Sequence, residues 1–558
     1  MASLQAYQSH GRRYFRIVES FRQHGKPRIR VLAHLGRAED ILNLVQNQSP
    51  NFKVSSVTAG SVTALFHLAQ QFDIAGKINR AIVTPDGQIQ KRDGLTVGET
   101  LLAGIIGRAC APRSKRAFAA WAQTTLLPAL MGFTAMDLSS EHFWEQMHAL
   151  PVDKLADLEQ EIVREVITRE QLQVQALAYD TTNFYTHIAS TNSKPRLPQR
   201  GHNKQGRHDL RQLGLALVVD QASQLPLAHV LYEGARSDMR TFGEFLRPVR
   251  ERLRRLTAQP QQLTLVFDAG AASKQNLATL SAGSDHYVTC LRPTHHVALL
   301  EEAVTQLQDV VLSNQTVVQA WRTRRDIAGR EHETVVVFSQ QLYEGQLRGL
   351  HQHLQRCTGQ LTEVGSRPHG TVEAVRRRLA KICGRQYVRS LVRYEVKEAE
   401  HGHSVVRCWC DLEEYRRLTN RYFGLRVLIT DRNDWSTAEI MEAYRGQSKA
   451  EASFRDLKDP AMLAARPQFH WTDQKLHVHA FMCVTGYLLL RLLCRKAREA
   501  GFTGSSRTLL SELARIRHCR MVDCTGRAGR PRVREQLEEI EPALYRLGNA
   551  VGALPPLH

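Results

Sequence analysis

Three acidic residues, Asp180, Asp268 and Glu451, stand in settings that suit chemistry at phosphorus. Asp180 closes the apolar run in ALAYDTTNFY. Asp268 closes the run in LTLVFDAGAASKQNL, where Ala-Gly follows and a helix start is expected at Ser273. Glu451 falls within YRGQSKAEASFRDLKDP, a helical pattern. Carboxylates converging from strand ends and a helix face can hold two divalent ions about 4 Å apart, one activating an attacking oxygen and the other stabilising the leaving oxygen.

Each acid also has an ordinary reading. An Asp at a strand end commonly starts a turn or caps a helix, and Glu451 is spaced for an i, i+4 pair with Arg455 on a solvated helix face. The company of each residue argues for more. The interval between the two aspartates suits a meander, a crossover helix and one more strand. On one continuous helix at 100° per residue, Tyr444, Glu451, Arg455 and Lys458 lie within about 60° of one another as a polar stripe. Ala443, Ala450 and Leu457 repeat on an adjacent face, with Phe454 between the two, so such a helix can pack and still present the stripe. A carboxylate beside a hydroxyl and two cations suits a metal ligand next to phosphates.

The elements that must hold these residues follow from hydropathy patterning. Two β-rich runs in YFRIVESFRQHGKPRIRVLAHLG flank His24-Gly25-Lys26 and predict a small basic module over 1–60. Helical periodicity dominates 61–173. From Val174 come VQALAYD, LGLALVVD and LPLAHVLYEG, then the helical DMRTFGEFLRPVRERLRRL and the strand LTLVFDAG, with HYVTCLRP as a fifth strand. Three meandering strands, a helix and a further strand is the order of a ribonuclease H-like sheet. The predicted fold is multidomain α/β, with a ribonuclease H-like mixed sheet over 174–294 and 428–495. A β-rich insertion over 295–427 interrupts it, TGQLTEVGSRPHGTVE within it reads as a polar loop, and a helical region covers 496–558.

Composition narrows the partners. Lys and Arg number 75 against 55 Asp and Glu, a formal charge of +20, which favours a polyanion. The basic residues are dispersed and no secretory signal is evident. Val478–Leu493 contains Arg491 and reads as a buried helix too short to cross a bilayer. The expectation is a cytoplasmic, nucleoid-associated protein without a membrane partner. The ten cysteines are expected as thiols, and the spacings of Cys408 with Cys410 and of Cys519 with Cys524 do not suit a zinc ribbon. His477 and His479 do not share a helical face, so the histidines of FHWTDQKLHVHAF read as packing residues, as do Trp321 and Trp409.

Around the third acid the sequence resembles insertion-sequence transposases of the Asp-Asp-Glu superfamily, in the group whose signature is Tyr, two residues, Arg, three residues, Glu, six residues, Lys. Here it reads Tyr444, Gln447, Glu451, Lys458, with Gln in place of Arg and Arg445 adjacent. FRDLKDP, FHWTDQKLHVHAF and RGHNKQGRHDLRQLGLALVVD also look like this group. The resemblance implies that Asp180, Asp268 and Glu451 bind two Mg²⁺, with Mn²⁺ able to substitute, and catalyse cleavage and strand transfer. It implies phosphate contacts at Tyr444, Arg455 and Lys458, with Gln447 offering a neutral hydrogen bond beside Arg445. The loop residues Lys204 and Arg207 are further DNA candidates. Partners would be double-stranded DNA, as inverted-repeat ends and target, and a second copy in a synaptic homodimer. A nuclease that does not join, and an inactive DNA-binding regulator, are the alternatives.

Overall fold

The computed structural model describes residues 2–23, 26–46, 52–82, 89, 91–134, 137–201, 207–256, 263–281, 286–366, 371–398, 404–466, 469–523 and 533–556. The chain opens on an antiparallel sheet of β1 (Ala2–Ser9), β2 (Arg12–Gln23) and β3 (Lys26–Gly36), then helix α1 (Ala38–Gln46). The turn residues His24 and Gly25 lie outside the described residues. Strand β4 (Phe52–Thr58) leads into α2 (Gly60–Gln71) and α3 (Ile74–Ala81). A short hairpin, β5 (Lys91–Arg92) and β6 (Leu95–Thr96), precedes α4 (Val97–Cys110), α5 (Lys115–Ala122), α6 (Leu127–Met131), α7 (Ser140–Ala149) and α8 (Val152–Arg169).

The central sheet begins with β7 (Ala176–Tyr185), β8 (Gln212–Asp220) and β9 (Pro226–Glu233), a meander of antiparallel neighbours. Helix α9 (Asp238–Arg254) crosses to β10 (Thr264–Phe267), which pairs parallel with β7, and α10 (Lys274–Ser281) crosses to β11 (His286–Leu291), parallel with β10. After α11 (Val297–Ala303) the sheet is extended by β12 (Gln308–Val311), β13 (Val317–Ile327) and β14 (Arg330–Phe338). Three helices follow, α12 (Gln340–Ser366), α13 (Val372–Ile382) and α14 (Val388–Leu391), then the hairpin β15 (Val392–Glu398) and β16 (Ser404–Cys410), and α15 (Leu412–Arg421). Strand β17 (Leu425–Thr430) returns between β14 and β11, giving the order β12-β13-β14-β17-β11-β10-β7-β8-β9.

The closing elements are α16 (Thr437–Arg445), α17 (Ser448–Lys458), α18 (Asp473–Glu499), α19 (Ser506–Ala514), β18 (Arg517–Asp523), β19 (Val533–Leu537) and α20 (Pro542–Ala550). Helix α18 runs 27 residues, longer than the apolar stretch alone predicts, and is long and apolar enough to cross a membrane. Its apolar window is 94% buried, packed against α2, α4, α8 and β9, so it is the axial core helix joining the helical region to the sheet.

Three expectations need correction. The 295–427 segment is mixed, not β-rich: β12–β14 widen the main sheet, and α12, α13 and α15 supply much of the rest. Thr358–Ser366, expected as polar loop, is the last part of α12, where Thr358, Gln360, Thr362 and Glu363 are exposed while Leu350, Cys357 and Val364 are buried. The region after 496 is not all helix, because β18 pairs with both β19 and the distant β4. That pairing joins segments more than 450 positions apart, which no local pattern announces.

The helical region is tied to the sheet by a buried charge cluster. Glu159 of α8 accepts from His229 Nδ1 on β9 at 2.5 Å and from Arg252 Nη2 on α9 at 2.5 Å. Burial disfavours the Glu159 carboxylate, but the His229 and Arg252 charges and hydrogen bonds outweigh it and hold the pKa below the usual range. A depressed carboxylate stabilises the fold above its unfolded pKa, and that contribution is lost as pH falls through the folded value. Glu159→Gln should cost about 3–5 kcal/mol at pH 7 by leaving Arg252 buried without its counter-charge. Urea midpoints at pH 7 and in acid measure this: the gap from wild type should shrink as the pH falls, and a constant gap would show that the ionic contacts are not the cause.

Candidate active site

Register is what brings the two aspartates together. Val266 of β10 pairs with Ala178 of β7, and Asp268 and Asp180 each lie two residues further along, so parallel neighbours carry both on the same side of the sheet. Asp180 does not end its strand as expected: β7 continues to Tyr185 and stays paired with β8, Asp180 lying opposite Leu217. Asp268 follows the last residue of β10 and is exposed, while Asp180 is half-buried. Each carboxylate accepts from the next backbone N–H, Thr181 at 2.8 Å and Ala269 at 2.8 Å.

The third acid comes from a broken helix. The pattern YRGQSKAEASFRDLKDP is expected as one continuous helix, but α16 ends at Arg445 and α17 restarts at Ser448, with Gly446 and Gln447 as the joint. Gln221 donates from Nε2 to Ala443 O at 2.9 Å, and a Cβ on Gly446 would lie 2.0 Å from Gln221 Oε1. The close approach explains glycine there. Ala443, Ala450, Phe454 and Leu457 are buried, so the apolar face packs as its spacing predicts.

Two tethers lay α17 along β7. Gln447 Nε2 donates to Tyr179 O at 2.6 Å, and Lys458 Nζ donates to Thr182 Oγ1 while lying 5.4 Å from the Phe184 ring centroid. The tethers flank Asp180 on the strand and Glu451 on the helix. Glu451 is exposed in the first turn of α17 and, among the described residues, forms no pair with Arg455, which is also exposed.

The remaining predicted contacts fall out differently. Tyr444 is 8% exposed and its Oη donates to Asp268 Oδ1 at 3.2 Å. Burial first, then the neighbouring Cys290 and Asp268, drive its pKa far up, so the phenol stays a donor. Gln447, expected at a phosphate, is 9% exposed and turned to the β7 backbone. Arg445 is exposed, and Arg207 pairs with Asp209 at 2.9 Å and lies 5.9 Å from the Tyr185 ring. Lys204 lies outside the described residues. Thr182 and Gln221 went unpredicted because neutral side chains in or beside strands carry no spacing signal. Arg426, over the Tyr444 ring at 5.9 Å, adds a cation to this edge. Of the insertion tryptophans, Trp321 packs on the core but Trp409 is exposed, contrary to its packing expectation.

The donors at Asp180, Asp268 and Glu451 are all carboxylate oxygens, the chemistry that hard divalent cations prefer. Among the described residues no three His, Cys, Asp or Glu side chains are gathered closely enough to hold a metal ion. The two aspartates and the helix bearing Glu451 are adjacent through the contacts of α17 with β7.

Residues 175–489 match the transposase DDE domain, more than half of the chain, and the chain belongs to that family. Residues 5–49 match the N-terminal domain of IS1634 family transposases, which makes it an insertion-sequence transposase. Among solved structures it is similar to a piggyBac transposase in a synaptic complex with hairpin DNA, at 8% identity and a TM-score of 0.39, over 81% of this chain and 79% of that one. No match was found among the curated proteins. The enzyme therefore cleaves and transfers DNA strands, and its family depends on divalent metal ions.

The buried position of Gln447 yields a prediction. Gln447→Ala should lower stability by about 1–3 kcal/mol, because Tyr179 O loses a buried donor. Chemical denaturation measures the loss and anisotropy measures DNA affinity; unchanged stability with weakened DNA binding would return Gln447 to the phosphate role.

Proposed function

We propose that Asp180, Asp268 and Glu451 form the catalytic carboxylate set of a Mg²⁺-dependent transposase, with Mn²⁺ able to substitute. The observation that carries this is the register placing Asp180 and Asp268 side by side, with α17 tethered on both sides of Asp180. The strand order β9-β8-β7-β10-β11, with β10 and β11 parallel to β7, supports a ribonuclease H-like core.

Bound there, divalent ions would supply Lewis-acid activation of the attacking oxygen and charge stabilisation of the leaving one. The chain's own residues do the positioning. Tyr444 orients the Asp268 carboxylate through its Oη. Lys458 fixes the far end of α17 against Thr182, and exposed Arg445 and Arg455 offer cations to the phosphates on either side of the scissile one. Arg207 adds a further cation on the segment between β7 and β8, and Lys204 is a further candidate for DNA contact. Water and then the freed 3′-hydroxyl are the successive nucleophiles at this one site, and no side chain forms a covalent intermediate. The helical region 61–173 and the basic module at 1–60 grip the inverted-repeat ends. Two copies in a synaptic homodimer hold both ends of double-stranded DNA before target joining, on the cytoplasmic nucleoid.

Asp180→Asn, Asp268→Asn and Glu451→Gln should each reduce cleavage and joining of labelled inverted-repeat DNA by at least a thousandfold with Mg²⁺, while end binding persists. Separate scoring of cut and joined products on denaturing gels tests this. Full activity in any one variant removes that residue from the site, cutting without joining makes the protein a nuclease, and binding without product in the wild type makes it a regulator.

A further inference from the structure

A cavity of about 990 Å³ opens between the helical region and the segment joining α17 to α18. Five cations line it, Arg108, Arg113, Lys115, Arg116 and Arg466, and no acidic side chain does among the described residues. Among the described residues none of the five forms an ion pair there, although the chain pairs many of its other arginines internally. Burial first, then Lys475 and Arg108 nearby, bring the Lys115 pKa down to about 8, as expected for cations massed without a counter-charge.

Three aromatic side chains face the same cavity and remain open to solvent: Trp144 is 48%, Phe469 61% and Trp471 67% exposed. Large rings left exposed together in a basic recess are costly unless something stacks on them. Two of the rings contact neighbouring side chains, and Trp471 is held through its backbone. Lys475 Nζ sits 3.8 Å from the Trp144 ring centroid, the Phe469 ring stacks on His187 at 5.6 Å, and Trp471 O accepts from Asn192 Nδ2 at 3.3 Å. His470 and His479 lie with ring centroids 4.7 Å apart at the cavity wall, and burial followed by the surrounding cations keeps both neutral, able to donate and accept.

The cavity is joined to the catalytic strand. Arg466 lies 5.4 Å from the ring of Tyr185, the last residue of β7, which stands about 17 Å along that strand from Asp180 at ~3.3 Å per residue. The cavity therefore lies at the far end of the strand that carries Asp180.

We propose that the cavity captures an unpaired segment of the DNA strand, its bases on Trp471, Phe469 and Trp144 and its phosphates on Arg113, Lys115 and Arg116. A duplex keeps its base faces stacked and hidden, whereas exposed rings interleaved with cations are the means by which single strands are held. The volume is within the range that encloses small ligands. The choice of DNA as ligand rests on the transposase reading; the site itself rests on the cavity.

The test uses the full chain in EDTA, with fluorescence anisotropy of a labelled ten-residue oligothymidylate and of a blunt duplex of mixed sequence. The Phe469→Ala/Trp471→Ala protein should bind the single strand at least tenfold more weakly, with duplex affinity changed less than twofold and an unchanged melting temperature. Trp471→Phe alone should retain most of the affinity, because it keeps a stacking face, and Arg113→Gln/Arg116→Gln should flatten the salt dependence of single-strand binding. Wild-type protein that ignores the single strand, or a double variant that binds it normally or loses both DNAs in proportion, overturns the inference. Because metal is excluded, this result is independent of cleavage: inactive carboxylates with a responsive cavity would count against the site assignment alone, and an active enzyme with an unresponsive cavity would count against this inference alone.

Discussion

The parallel pairing of β7 with β10 is the constraint on which the rest of the site depends. A shift of one residue would send one aspartate to the opposite face of the sheet. Packing opposes it: Leu177, Ala178 and Tyr179 on one strand and Leu265, Val266 and Phe267 on the other are all buried, so both faces are packed and a slip would exchange side chains of unlike size between them. β7 is also the strand with most to hold. It pairs antiparallel with β8, parallel with β10, and receives α17 through Tyr179 O and Thr182 Oγ1. One strand thus fixes a carboxylate of its own, aligns a second and docks the helix that carries a third.

Much of this was legible because it is written locally. Apolar runs closing on Asp180 and Asp268 announce buried strands, and the seven-residue repeat of Ala443, Ala450 and Leu457 announces a packed helix face. What was not legible depends on distant partners. The break at Gly446–Gln447 is set by Gln221, a residue on the turn after β8, and Gln447 finds its partner in a backbone carbonyl rather than in any side chain that a pattern could flag. Tyr444 was readable as a polar residue near the third acid, but not as a buried donor to the second. The helical end of α12 was hidden by its polar composition, since a helix packed on one narrow face resembles a loop in sequence. Strands β18 and β19 escaped because their sheet is completed by β4 from the other end of the chain.

The net charge of +20 becomes more informative when sorted by environment. Arg252, Arg322, Arg324 and Arg432 are spent on carboxylates within the fold, where they tie helices and strands together. The cations around Pro112 and Arg466 have no such partners among the described residues and share their recess with exposed rings. Total charge points only to a polyanion; the separation of paired from unpaired cations says where on the surface the polyanion is met. The same sorting gives FHWTDQKLHVHAF its place: Phe469 and Trp471 are exposed in the recess, and His470 and His479 line its wall.

Like charges set the last constraint. Carboxylates placed on neighbouring elements without a compensating cation repel one another. The chain meets this by giving Asp180 the Thr181 N–H, giving Asp268 both the Ala269 N–H and the Tyr444 phenol, and leaving Glu451 in solvent on the first turn of α17. The helix N-terminus favours a negative charge at that position. Tyr444 can serve only while protonated, and its burial secures that, because the phenolate is disfavoured by desolvation and by the adjacent Asp268. The two aspartates are thereby preset by β-sheet register and donors, while Glu451 stays exposed on a helix whose joint at Gly446–Gln447 fixes where its backbone stands.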